Sequence, residues 1–141
     1  MTLQLGIEEV MDYLEGVFPQ MKGDFTLLEL EPERLRIRLN VNESHLRPGG
    51  TVSGPSMFGL ADCAFYVLVL ARVGRQALAV TTNCSIDFMR KPAPGPLFAE
   101  ARMLKLGRVL AVGDVLIYSE DDNRPVARAS LTYSIPPKDM G

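Results

Sequence analysis

A chain of 141 residues has room for one domain with a proper core and is too short for two ordinary ones. Its net charge of -2, with 47% apolar and 23% charged residues, is an ordinary globular balance and makes no electrostatic case for nucleic acid. Two cysteines that form no cluster, Cys63 and Cys84, and one isolated histidine, His45, argue against a structural zinc site.

The opening stretch, MTLQLGIEEVMDYLE, lacks a basic start and a long apolar run, so export is not indicated and a cytoplasmic domain is expected. Ile7, Val10, Met11, Leu14, Val17 and Phe18 recur at helical spacing, with Glu8, Glu9, Asp12 and Glu15 opposite. That pattern predicts a short amphipathic helix ending near Gly16–Pro19. Residues 25–31 and 34–42 read as strands joined at Pro32-Glu33. In the second, Leu35, Ile37, Leu39 and Val41 alternate with Arg34, Arg36, Arg38 and Asn40, so one face is wet and the other packs inward. Residues 45–53 (HLRPGGTVS) form a loop rich in Gly and Pro.

Residues 55–73 (PSMFGLADCAFYVLVLARV) are apolar on all helical faces except for Asp62 and Arg72. Those two charges, the Gly and Pro at the start and the glycine-rich turn before it favour a buried core helix over a membrane span. Ser53 or a neighbour can cap it, Pro55 suits its first turn and Gly74 its end. A helix without a polar face must be enclosed by a curved sheet, a partner subunit, or both. Within it, a carboxylate has to be paired, protonated or put to use, because burying it ionised and alone is costly. Asp62 is therefore the first place to look for chemistry.

The remainder reads as antiparallel strands at 77–88, 98–106, 110–119 and 125–135. KPAPGP at 91–96, Gly107-Arg108 and EDDNR at 120–124 mark the turns between them. A run of strands interrupted by one long helix is an α+β pattern, with one sheet wrapped around that helix in a single domain over 1–141.

This layout resembles the hotdog fold, and specifically the PaaI-like acyl-CoA thioesterases, from about Glu8 to Ile135. The resemblance is carried by Gly50-Thr51-Val52-Ser53-Gly54-Pro55 followed by Leu60-Ala61-Asp62, then by Val80 to Arg90 (VTTNCSIDFMR), and less by the Gly107-Arg108 turn. It implies a curved antiparallel sheet around a long central helix, and hydrolysis of an acyl-CoA thioester to free acid and CoA at a site shared between subunits. By the same resemblance Asp62 matches the catalytic carboxylate, acting as general base or nucleophile. Gly54 matches the glycine whose backbone N–H polarises the thioester carbonyl, and Thr81 the hydroxyl that assists water. Exposed N–H groups and the dipole at a helix start favour a developing oxyanion. Residues 54 and 62 lie two helical turns apart, roughly 12 Å along an axis. One chain therefore cannot apply both to one carbonyl, and a homodimer or homotetramer is expected.

The chain departs from the family pattern where Ser53 stands for the usual histidine, Pro55 for the second glycine and Arg47 for an Asn or Gln. Ser53 and Arg47 are candidates for substrate contact, as are Tyr66 at the acyl pocket and Arg90, Lys91 and Arg108 at the CoA phosphates. No metal and no organic cofactor is needed, and neither nucleic acid nor a membrane is an expected partner. Cys63 reads as core packing and His45 as a plain loop residue, while Met57, Phe58, Phe65 and Met89 suit either core or pocket wall. The rival reading on the same fold is a non-catalytic acyl-CoA binding protein, which the lost histidine and amide support. A hydratase, which usually pairs His with an acid, is disfavoured by the position of His45. A purely structural oligomer predicts no affinity for CoA esters.

Overall fold

The computed structural model describes residues 2–137. Helix α1 (Ile7–Val17) forms where Val10 and Leu14 share a buried face, and Glu9 Oε1 accepts from the Gly6 N–H at 3.1 Å to start it. A 3₁₀ turn at Pro19–Met21 leads into β1 (Phe25–Leu30), which pairs antiparallel with β2 (Arg34–Leu39). On β2 the alternation is as the sequence predicts: Leu35, Ile37 and Leu39 are buried and the arginines between them are partly exposed. A second 3₁₀ turn, Glu43–His45, occupies the start of the expected loop, with Asn42 Oδ1 accepting from the Ser44 N–H at 2.9 Å.

The apolar helix is α2 (Gly54–Val73), one residue longer at its start than the pattern suggests because Ser53 caps it. Its far end is closed by Gly74 at φ 95°, a backbone region that favours glycine. Just before that end, Arg72 donates to the Pro32 carbonyl at 2.5 Å and pins the helix to the β1–β2 turn. Four strands follow, β3 (Val80–Phe88), β4 (Leu97–Leu106), β5 (Leu110–Ser119) and β6 (Ala127–Ser134). β3 starts later than the sequence suggests because the Ala77 backbone is taken up by two tyrosines. Tyr66 donates to its carbonyl at 2.9 Å, and its N–H donates to the Tyr13 hydroxyl at 3.1 Å.

All six strands form one antiparallel sheet in the order β1-β2-β4-β5-β6-β3. Residues 91–96, read from the sequence as a turn, are therefore part of a crossing over 89–96 and do not join neighbouring strands. They carry the chain from the β3 edge to the slot between β2 and β5, anchored where the Ala93 N–H donates to Ser119 Oγ at 2.9 Å. Prolines 92, 94 and 96 have no N–H to give a ladder, which suits a crossing better than a hairpin.

The sheet bends around α2, burying Leu60, Ala61, Ala64, Phe65, Leu68 and Ala71 among others. Small residues on the inner face, Ala99, Ala101, Ala111, Ala127 and Ala129, let the helix approach closely. Closest of all is Gly113 on β5, where an added Cβ would overlap the Phe65 ring and the Arg102 carbonyl oxygen. Gly113→Ala should therefore cost about 2–3 kcal/mol through overpacking. Gly16→Ala, on α1 with nothing within 4 Å of an added Cβ, should be neutral or stabilising by up to about 1 kcal/mol. Urea unfolding midpoints of the two variants check both.

Candidate active site

One stripe of α2 is covered neither by the sheet nor by α1: Pro55 and Phe58 are exposed and Gly59 and Asp62 half-buried, positions that fall on one helical face. Asp62 is thus not enclosed all round, as its apolar neighbours suggest, but stands on the wall of a cavity of about 440 Å³. Phe18, Met21, Cys63, Tyr66, Thr81 and Tyr133 complete most of that wall.

Two hydroxyls converge on one oxygen of the carboxylate. Thr81 Oγ1 donates to Asp62 Oδ1 at 2.7 Å, and so does the Tyr133 hydroxyl, also at 2.7 Å. Such short O–H···O⁻ contacts are the charge-assisted kind. Thr81 and Tyr133 are cross-strand neighbours on β3 and β6. Strict alternation from Phe88, Ile86 and Cys84 would turn Thr82 inward and Thr81 out. A bulge between Thr81 and Asn83 reverses this and aims Thr81 at Asp62.

The aromatic side chains around the carboxylate form a connected set. Tyr133 stacks on Tyr66 at 5.8 Å and meets the edge of Phe65 at 5.7 Å, and Phe18 packs edge-on to Tyr66 at 5.9 Å. Burial, with the Asp62 charge second, pushes the Tyr133 phenol well above its ordinary range, so it stays a donor. Burial also pushes Tyr66 up to about 12, and its proton is held by the Ala77 carbonyl. The Cys63 thiol is driven up by burial and then by Asp62, which keeps it protonated and makes it wall rather than nucleophile.

At the start of α2 the backbone donors can be accounted for one by one. The Ser53 N–H donates to the His45 carbonyl at 2.8 Å, Pro55 has none, and the Ser56 N–H goes to Ser53 Oγ at 3.2 Å. The Met57 N–H makes the first helical bond, to the Ser53 carbonyl at 3.0 Å. Of the donors at this helix start, only the Gly54 N–H is left without a partner among the described residues, at the positive end of the helix dipole. Ser53 is thus a helix cap by geometry.

The other predicted residues lie apart from Asp62 within one chain. Gly54 sits under the Phe88 ring, which would be 3.5 Å from a Cβ there, at the end of β3 opposite Thr81. Arg90 and Lys91 are exposed just beyond Phe88. Arg47 is exposed in a turn closed by its N–H to the Thr51 carbonyl at 2.9 Å, where Gly49 and Gly50 take positive φ. Arg108 is exposed on the β4–β5 turn and lines a second cavity with Arg72, Val109 and Ile135. The sequence reading missed Tyr133, Phe18 and Met21. For Tyr133 a signal existed: Ala127, Ala129, Leu131 and Tyr133 alternate, which turns a phenol inward where it needs a polar partner.

Residues 49–126, more than half of the chain, match the model of the thioesterase superfamily. A solved structure of a "putative thioesterase" from Silicibacter sp. TM1040 is 59% identical, superposes with a TM-score of 0.91, and the match covers 97% of this chain and 96% of that one. A "putative esterase" of Deinococcus radiodurans is 36% identical over 73% of this chain, which spans 64% of that relative's length. A mutant form of the phenylacetic acid degradation protein PaaI from Thermus thermophilus is 28% identical over 84% of this chain and 99% of its own, with a TM-score of 0.71. With the central helix, the wrapped sheet and the glycine loop in place, the chain belongs to the thioesterase superfamily and has the hotdog fold of its PaaI-like members.

Proposed function

We propose that this protein is a cytoplasmic acyl-CoA thioesterase whose active site is completed by a second subunit. The observation that carries the reading is the Asp62 carboxylate, held by two hydroxyls on the wall of a mostly apolar cavity. Such a cavity suits an acyl group, and a fixed carboxylate at its wall suits activation of water.

In this reading Asp62 takes a proton from a water, whose oxygen adds to the thioester carbonyl carbon. A backbone N–H meets the oxyanion. Collapse breaks the C–S bond, and the proton on Asp62 passes to the departing thiolate sulfur. Thr81, whose own proton goes to Asp62, keeps lone pairs with which to hold the water. Direct attack by Asp62 on the carbonyl carbon is the alternative form. It would expel the thiolate and leave an anhydride for water to cleave.

The subunit sharing rests on β3. This strand is a sheet edge with β6 as its one neighbour; it exposes Val80 (54%) and Phe88 (51%), and Phe58 (39%) is exposed on the open stripe of α2. An exposed apolar edge of this kind invites strand pairing. Thr81, bonded to Asp62, marks one end of β3, and Phe88, over Gly54, marks the other. Antiparallel pairing of β3 with its own copy sets each end against the opposite end of the partner. The partner's Gly54 N–H is then brought towards Asp62. The same pairing carries the partner's Arg90 and Lys91 towards the end of the sheet where Arg108 lies, where such cations suit the CoA phosphates.

Thiol release from a panel of short, long and aryl acyl-CoAs is expected for the wild-type protein, with a loss of about 100-fold or more in Asp62→Asn. Binding of CoA esters with no turnover anywhere would favour the non-catalytic binding protein instead. Subunit sharing has its own test. Gly54→Pro removes the one free N–H at a helix position that tolerates proline. Asp62→Asn and Gly54→Pro should each be inactive alone. Mixed and exchanged in equal amounts, they should recover about a quarter of wild-type activity, because half the dimers carry one intact site of two. No recovery in mixed dimers would place both groups in one chain and sink the shared site.

A further inference from the structure

We propose that Tyr133 is a positioning residue which, with Thr81, fixes Asp62 Oδ1 and so assigns the reaction to Asp62 Oδ2. The inference rests on the hydrolase reading above. It concerns a residue outside the 49–126 segment that matches the superfamily.

A carboxylate on a helix has two rotatable bonds, and either oxygen can turn towards a substrate. Here both hydroxyl donors take the same oxygen, Oδ1, at 2.7 Å each, while Oδ2 has no partner among the described residues. The Tyr133 hydroxyl is also 3.2 Å from the Asp62 main-chain oxygen, which ties it to the helix as well as to the side chain. Rotation of the carboxylate would break two charge-assisted hydrogen bonds at once. The free oxygen is thereby held in one place before substrate arrives, which is what preorganisation requires.

The two donors are not equivalent. Thr81 lies on the edge strand, next to a bulge, and is half-buried. Tyr133 lies on β6, with β5 on one side and β3 on the other, and is 3% exposed. Phe65 and Tyr66 hold its ring from two directions. Its hydroxyl therefore has a fixed address that Thr81 lacks. Because burial and the nearby charge keep the phenol protonated, it acts by holding Asp62 and not by passing a proton to the leaving group.

Tyr133→Phe keeps the ring and deletes the donor. On the best acyl-CoA, kcat should fall by about 10- to 100-fold, the size associated with a small misplacement of a reacting group. KM should stay within about 2-fold and the melting temperature within a few degrees, the pattern of an interaction used in the transition state. Thr81→Val should lower kcat as well. The double variant should fall no further than Asp62→Asn, because both donors act through one carboxylate. A loss confined to KM, or one that follows a fall in melting temperature, would mean a packing role and overturn the proposal. Wild-type kcat in Tyr133→Phe beside a collapsed Asp62→Asn would also overturn it while leaving the hydrolase reading intact. Full activity in Asp62→Asn would instead remove the hydrolase reading and this inference together. Should the Phe variant fail to fold, Thr81→Val tests the same fixed oxygen from the other donor: kcat should fall at unchanged KM, and a wild-type kcat would overturn the proposal.

Discussion

Everything in this molecule follows from a 20-residue helix with almost no polar face. A helix of that kind cannot rest on a flat sheet with its back to water. The sheet has to curve around it, and curvature requires small residues where the two surfaces approach. The alanines of β4, β5 and β6 and the bare backbone of Gly113 meet that need, and Phe65 fills the space they leave. One sheet of six strands, even with α1 packed against the same helix, leaves part of it open. The uncovered part is the stripe of Pro55, Phe58, Gly59 and Asp62, and it lies next to the edge strand β3. The place where enclosure fails is also where the carboxylate stands. In the dimer proposed above, a second copy covers this apolar stripe and the strand edge beside it, so that completing the core would also complete the site.

Along the sequence, the parts that were legible are those in which local pattern and tertiary role agree. The period of two on β2 and the uninterrupted apolar run of α2 are packing signals, and both elements appear where those signals place them. Asp62 was legible for the opposite reason, as one residue that contradicts its surroundings. What could not be read depended on register and on contacts between distant segments. The inward turn of Thr81 comes from a bulge that moves one residue of β3 off its alternation, and nothing local in VTTNCS distinguishes Thr81 from Thr82. Strand order was equally hidden. The proline-rich stretch reads as a turn locally and is a crossing because β3 lies on the far edge of the sheet. Tyr133 is 71 residues from Asp62, so only the closed sheet brings the phenol to the carboxylate.

The departures from the family pattern at the start of α2 gain a physical meaning once its backbone donors are counted. With Pro55 in the second position and Ser53 capping Ser56, the helix start offers one free N–H, that of Gly54, and position 53 carries a serine rather than a histidine. An oxyanion stabilised there would lean on one hydrogen bond and on the helix dipole. Arg47, which stands where an amide usually orients the carboxylate, is exposed in its turn and does not reach Asp62 within the chain. The contacts that the Asp62 carboxylate does make within the chain come from the sheet instead. They are made by two hydroxyls supplied by adjacent strands, one on the sheet edge and one within the sheet. Of the two, the Tyr133 hydroxyl is buried within the sheet, so the position of the carboxylate oxygen it holds is set by the packing of the fold rather than by a loop.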